Sequence, residues 1–130
     1  MPNTIFKFIT LIGLFIFSCE GTSDDIEAPA VTIIQPLEND TILLSITKEV
    51  NIRFTTSDND ELHDVIVYVK NTAGKILYST TNDVDQKTYN YSEQYKPSNI
   101  NVLTQLKLET HITDHSDNHT FKSVSFFVRP

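Results

Sequence analysis

From Pro29 onward, apolar and polar side chains alternate along much of the chain. A strand turns successive side chains to opposite faces, so alternation predicts strands with one buried and one wet face. "AVTIIQP" predicts a first strand with Val31 and Ile33 inward, stopped by Pro36. "LEND" at residues 37–40 is a turn signal, and "TILLSI" at residues 41–46 is expected to continue the edge. "VNIRFTT" places Val50, Ile52 and Phe54 inward and Asn51, Arg53 and Thr55 outward. "LHDVIVYVK" does the same with Val65, Val67 and Val69, and "NTAG" turns the chain into "KILYSTT". "KTYNYSEQY" sets Tyr89 and Tyr91 on one face. "QLKLETHIT" puts Leu106, Leu108 and Ile112 inside and Lys107, Glu109 and His111 outside. "TFKSVSFFV" closes the chain with Val124, Phe126 and Val128 inward. Ile52 and Leu108 are expected on adjacent core strands, and no segment carries a helical stripe.

About seven short strands separated by turn signals predict an all-β, antiparallel β-sandwich. Alternation, rather than solid apolar runs, fits antiparallel sheets with one solvated face each.

The first residues break this pattern. "FITLIGLFIF" at residues 8–17 is apolar except for Thr10 and Gly13, and Lys7 is the only charge before it. A bilayer-spanning helix needs roughly 20 apolar residues, whereas a run this short suits the core of a signal peptide. The run stops at Cys19, the only cysteine, which therefore has no disulfide partner within the chain. "IFSC" at residues 16–19 resembles a bacterial lipobox, with Ser18 in the small position and permissive residues at Ile16 and Phe17. Cleavage before Cys19 would expose a thiol and an amine. Acylating both anchors a protein stably, at about 0.8 kcal/mol per buried methylene, where a single chain would not. The alternative is a plain secretory peptide with an incidental Cys19. The expected organisation is thus a lipoprotein signal peptide over residues 1–18, a lipidated Cys19 with a flexible acidic tether over residues 19–28, and a sandwich over residues 29–130.

Charge narrows the partners. The 130-residue chain has 17 acidic and 10 basic residues, and cleavage removes only Lys7, leaving a net charge of −8. The basic residues are scattered singly, which argues against nucleic acid as a partner, because phosphate binding needs clustered Lys and Arg. With only Gly13, Gly21 and Gly74, no glycine-rich phosphate loop can form. The chain contains no "GxSxG" or "HExxH", so it is read as non-enzymatic.

Three stretches, "APAVTIIQPLENDTI", "VNIRFTTSDNDELHDVIVYVKNTAG" and "LETHITDHSDNHTFKSVSFFV", resemble the bacterial immunoglobulin-like domains of exported proteins. The resemblance covers most of residues 28–130 and extends to small Bacteroidota lipoproteins of unknown function. It implies an immunoglobulin-like, fibronectin III-like sandwich. The acidic run from Glu20 to Asp25 is similar to the signal that sends such lipoproteins to the cell surface; a plain solvated linker is the other reading. Glu61 and Asp117 stand where relatives have turn glycines. These motifs specify a fold far better than a function. The implied role is an outer-membrane, surface-exposed module that binds a protein or glycan.

Alternating strand direction should gather the tether and the loops at residues 57–64, 82–86 and 114–119 at one pole. Asp58, Asp60, Asp83, Asp85, Asp114 and Asp117 would share that end and are the candidate calcium ligands of an adhesion-type module. The competing explanation is that Asp and Asn favour turns through local hydrogen bonds. His111 and His115 are separated by about 13 Å if the chain stays extended. Only His115 and His119, flanking the turn, are therefore candidate ligand-contact histidines. Tyr68, Tyr95 and Phe127 are candidate exposed contact aromatics.

Overall fold

The computed structural model describes residues 24–130; the expected signal peptide, Cys19 and the first part of the expected tether lie outside the described residues. The strands are β1 (Ala30–Gln35), β2 (Thr41–Leu43), β3 (Val50–Ser57), β4 (Leu62–Asn71), β5 (Ile76–Asp83), β6 (Thr88–Tyr95), β7 (Thr104–Asp114) and β8 (His119–Arg129). A single helical turn, α1 (Leu44–Thr47), follows β2. Among the described residues no helix is long and apolar enough to cross a membrane.

The strands form two sheets, one ordered β1-β3-β6 and the other β2-β8-β7-β4-β5. All pairings are antiparallel except β2 with β8. The chain changes sheet between β3 and β4, returns after the β4–β5 hairpin to lay β6 beside β3, and crosses again to lay β7 beside β4. This is an all-β sandwich of two sheets. Its edge strands differ in cover. β5 pairs only with β4, and Ile76 and Leu77 stay exposed on it.

The alternation buries the side chains expected. Val31, Ile33, Val50, Ile52, Phe54, Val65, Val67, Val69, Leu106, Leu108, Ile112, Phe126 and Val128 all line one core. Val124 packs against it while remaining partly exposed. Phe54 stacks on Tyr91 with ring centroids 4.8 Å apart. Fully burying each such side chain contributes about 1.5–3 kcal/mol before conformational entropy is counted.

Three expectations are corrected. "TILLSI" does not continue as a strand: the pairing of β2 with β8 stops at Leu43 and Arg129. The next residues wind instead into α1, closed by the Lys48 N–H donating to the Leu44 carbonyl, with Lys48 in left-handed backbone at φ 65°. Ile52 and Leu108 both point inward, but from opposite sheets rather than adjacent strands, because β3 and β7 never pair. Tyr95 is buried, on the same face of β6 as Tyr91, and lies against Tyr78. It is not a contact aromatic.

Candidate functional site

The tether and three loops meet at one end of the sandwich. The Asp58 N–H donates to the Lys87 carbonyl, Leu62 N–H to Gln86, Val84 N–H to His63, and His115 N–H to Glu61. These bonds staple the β3–β4, β5–β6 and β7–β8 loops together. The chain joins them from Asp25 onward: the Asn59 side-chain amide donates to Asp25 Oδ1 at 2.9 Å, and that of Asn118 donates to the Asp25 carbonyl at 3.0 Å. The expected tether over residues 19–28 is therefore held to the sandwich from Asp25 onward. Lys87 Nζ caps the Asn59 carbonyl at 2.7 Å and is the basic group within these loops.

Two groups of potential ligands result. In the first, carboxylate oxygens of Asp25, Asp58 and Asp114 all lie within 4.8 Å of one another. Asp114 is only 2% exposed, and its Oδ1 accepts the N–H groups of Ser116 and Asn118. Asp25 Oδ2 is buried without a hydrogen-bond partner. The Asn59 amide and the Glu27 N–H hold the Asp25 carboxyl below the usual carboxylate range. Burial, joined by the charges of Asp114 and Asp25, pushes Asp58 up. Oxygens gathered in this way suit a hard divalent cation such as calcium.

In the second group, one ligand atom each from His63, Asp85 and His115 lie within 4.8 Å of one another on the exposed rim. Asp60, Asp83 and Asp117 stand outside both groups. The Asp60 N–H closes an Asx turn onto Asp58 Oδ2 at 3.0 Å, Asp83 Oδ1 is 3.7 Å from His63 Nδ1, and Asp117 Oδ1 is 3.1 Å from His119 Nε2. Asp117 also takes left-handed backbone, at φ 66°, which Asp tolerates better than most residues. His115 and His119 do not come together. His119 instead faces His111, with Nδ1 and Nε2 3.1 Å apart.

That second histidine pair opens onto the outer face of the five-stranded sheet. Phe121 is 73% exposed and stacks on His111 with centroids 4.1 Å apart and planes 12° from parallel. Register aligns Ile66, His111 and Phe121 in one row, Tyr68, Glu109 and Ser123 in the next, then Lys70, Lys107 and Ser125. Glu109 pairs with both Lys70 and Lys107, which hold its carboxyl below the usual range. Two shallow depressions of about 250 and 440 Å³ flank these groups and share Lys107 and Glu109 in their walls. Of the expected contact aromatics, Tyr68 and Phe127 are half-buried.

Sequence reasoning named neither Asp25 nor His63 as a ligand, and it passed over Phe121. The phase of "TFKSVSFFV" carried the signal for Phe121: with Val124, Phe126 and Val128 inward, Phe121 must point out. A scan against protein-family models finds no match, and a search of the curated proteins finds none either.

Proposed function

We propose that the protein is a membrane-anchored, surface-exposed outer-membrane lipoprotein whose sandwich is a non-catalytic binding module for a glycan or protein. The single observation that carries the binding role is the Phe121–His111 ring platform beside the Lys70–Glu109–Lys107 cluster. Stacked on His111 by one face and 73% exposed, the Phe121 ring offers its other face, with its negative quadrupole, to polarised C–H bonds. Adjoining hydrogen-bonding groups then fix orientation, which is the division of labour expected of a ligand site. That combination favours a sugar ring stacked on Phe121 with its hydroxyls toward Glu109 and Lys107.

The anchor suits this face. Cys19 precedes Asp24 by five residues, which span at most about 18 Å when extended. Acylation at Cys19 would hold the acidic pole toward the membrane and leave the flank of the five-stranded sheet open. The test is an array of glycans and peptides probed with the native chain and with Phe121→Ala. Selective binding lost in Phe121→Ala supports the reading; binding unchanged by the substitution removes its basis. Cys19→Ala should shift the protein from the detergent phase to the aqueous phase, and retention in the membrane fraction would contradict the anchor.

A second reading is a calcium-dependent adhesion-type module. The observation favouring it is the buried, unpartnered Oδ2 of Asp25 beside Asp58 and Asp114, since a buried carboxylate oxygen is costly unless something pairs with it.

A further inference from the structure

We infer that His63, Asp85 and His115 form a site for a borderline divalent cation of the zinc, nickel or copper class, separate from the carboxylate group that would take calcium. Three different segments supply the ligands: His63 is the second residue of β4, Asp85 lies in the β5–β6 loop, and His115 lies in the β7–β8 loop. Chain separation makes their meeting a product of the fold rather than of local sequence.

The backbone fixes all three. The register shift between Leu62 and Val65 breaks the regular β4–β7 ladder where His63 projects. The His63 carbonyl accepts the Val84 N–H at 2.7 Å, which seats Asp85 beside it. The His115 N–H donates to the Glu61 carbonyl at 3.1 Å, and buried Asp114 pins the rest of that turn through Ser116 and Asn118. Scaffold order on this scale lowers the cost of bringing ligands together on binding.

The donor chemistry and spacing match. His115 Nε2 is 2.9 Å from Asp85 Oδ1, and the His63 and His115 rings lie 4.7 Å apart. Ligands sharing a tetrahedral ion at about 2.1 Å stand roughly 3.4 Å from each other. The side chains are 47%, 70% and 42% exposed for His63, Asp85 and His115, so small rotamer changes close the remaining gap. Two imidazoles and one carboxylate select zinc, nickel or copper over calcium and magnesium, which prefer oxygen. Asp83, 3.7 Å from His63 Nδ1, is placed to orient that ring, as carboxylates commonly do for metal-bound histidines. Three protein ligands leave a position for water or an external group, as in open rather than closed zinc sites.

The test uses the full chain in detergent carrying Cys19→Ala, which removes the thiol as a competing ligand. Cobalt should bind at one ion per chain with visible ligand-field bands, and zinc should displace it while millimolar calcium does not. His63→Ala or His115→Ala should abolish those bands, Asp83→Asn should weaken binding about tenfold, and His119→Ala and Asp58→Asn should leave it intact. Cooperative melting of each variant confirms that it has folded. The inference is overturned if the native residues give no bands, if His63→Ala and His115→Ala retain them, or if Asp58→Asn abolishes them and so moves the ion to the carboxylate group.

Discussion

Asn118 grips Asp114 twice: its N–H donates to Oδ1 at 2.9 Å and its side-chain amide to Oδ2 at 2.8 Å. The same amide group also donates to the Asp25 carbonyl, so one side chain joins the last hairpin turn to the point where the chain reaches the sandwich. A buried carboxylate accepting three bonds organises the whole pole.

Asp114→Ala should therefore cost about 1–3 kcal/mol, because it strands the Ser116 and Asn118 N–H groups. Asn118→Ala should cost a similar amount and should also free the chain before Pro29. Urea denaturation of both variants, with amide exchange at Ile26 and Glu27, measures the two effects. Unchanged stability in Asp114→Ala would show that water replaces the carboxylate without loss.

Inward Ile52→Ala and Leu108→Ala should each destabilise by about 2–5 kcal/mol, since both are fully buried. Outward Arg53→Ala should change stability by about 0.5 kcal/mol or less. Comparable losses at all three positions would place the strands one residue out of phase.

Strand existence, phase and the sheet class were legible because alternation is a direct record of which face is buried. Tyr95 and Phe121 were legible too in principle, since each follows the phase of its own strand, Tyr91 inward and Phe126 inward. The sheet to which β3 and β7 belong was not legible, because alternation says which side of a strand is wet and nothing about its neighbours. The extent of β2 depended on its pairing with β8, a tertiary fact. The convergence of loops at one pole followed from strand alternation. The sorting of their side chains into a carboxylate group and a histidine–carboxylate group depended on backbone bonds between loops, such as Val84 to His63, that no local pattern encodes.

Burial, then the neighbouring His119, lowers the His111 pKa from its ordinary 6.5, against an opposing pull from Asp64. The folded state thus binds a proton here less readily than the unfolded state does. Stability from this group is complete above the unfolded value and is lost as pH falls from about 6.5 toward the lower folded value. Denaturation measured from about pH 7.5 to about pH 5 should show that loss, and His111→Gln should flatten it. Asp58 has the opposite sign, because its raised pKa favours the protonated form in the folded state and its contribution improves as pH falls through that folded value. A pH profile identical in His111→Gln would assign the slope to other groups.

If Asp25, Asp58 and Asp114 hold calcium with a dissociation constant of about 0.1–1 mM, then about 10 mM calcium should stabilise the fold by about 1.5–3 kcal/mol by mass action. Sodium chloride at matched ionic strength should do much less. Asp25→Asn and Asp58→Asn should each remove most of the difference. Equal melting in calcium, EDTA and sodium chloride would leave the pole as a set of hydrogen-bonded Asp and Asn turns.

The central claim is that ligands meet the outer face of the five-stranded sheet and not the loop pole. The most direct measurement compares dissociation constants for the strongest array ligand across variants of both surfaces. Phe121→Ala and Glu109→Gln should each weaken binding by about tenfold or more, a loss of about 1.4 kcal/mol, while Asp85→Asn and Asp117→Asn should leave it unchanged. Full affinity in Phe121→Ala together with loss in the pole variants would contradict the account and move the binding surface to the acidic loops.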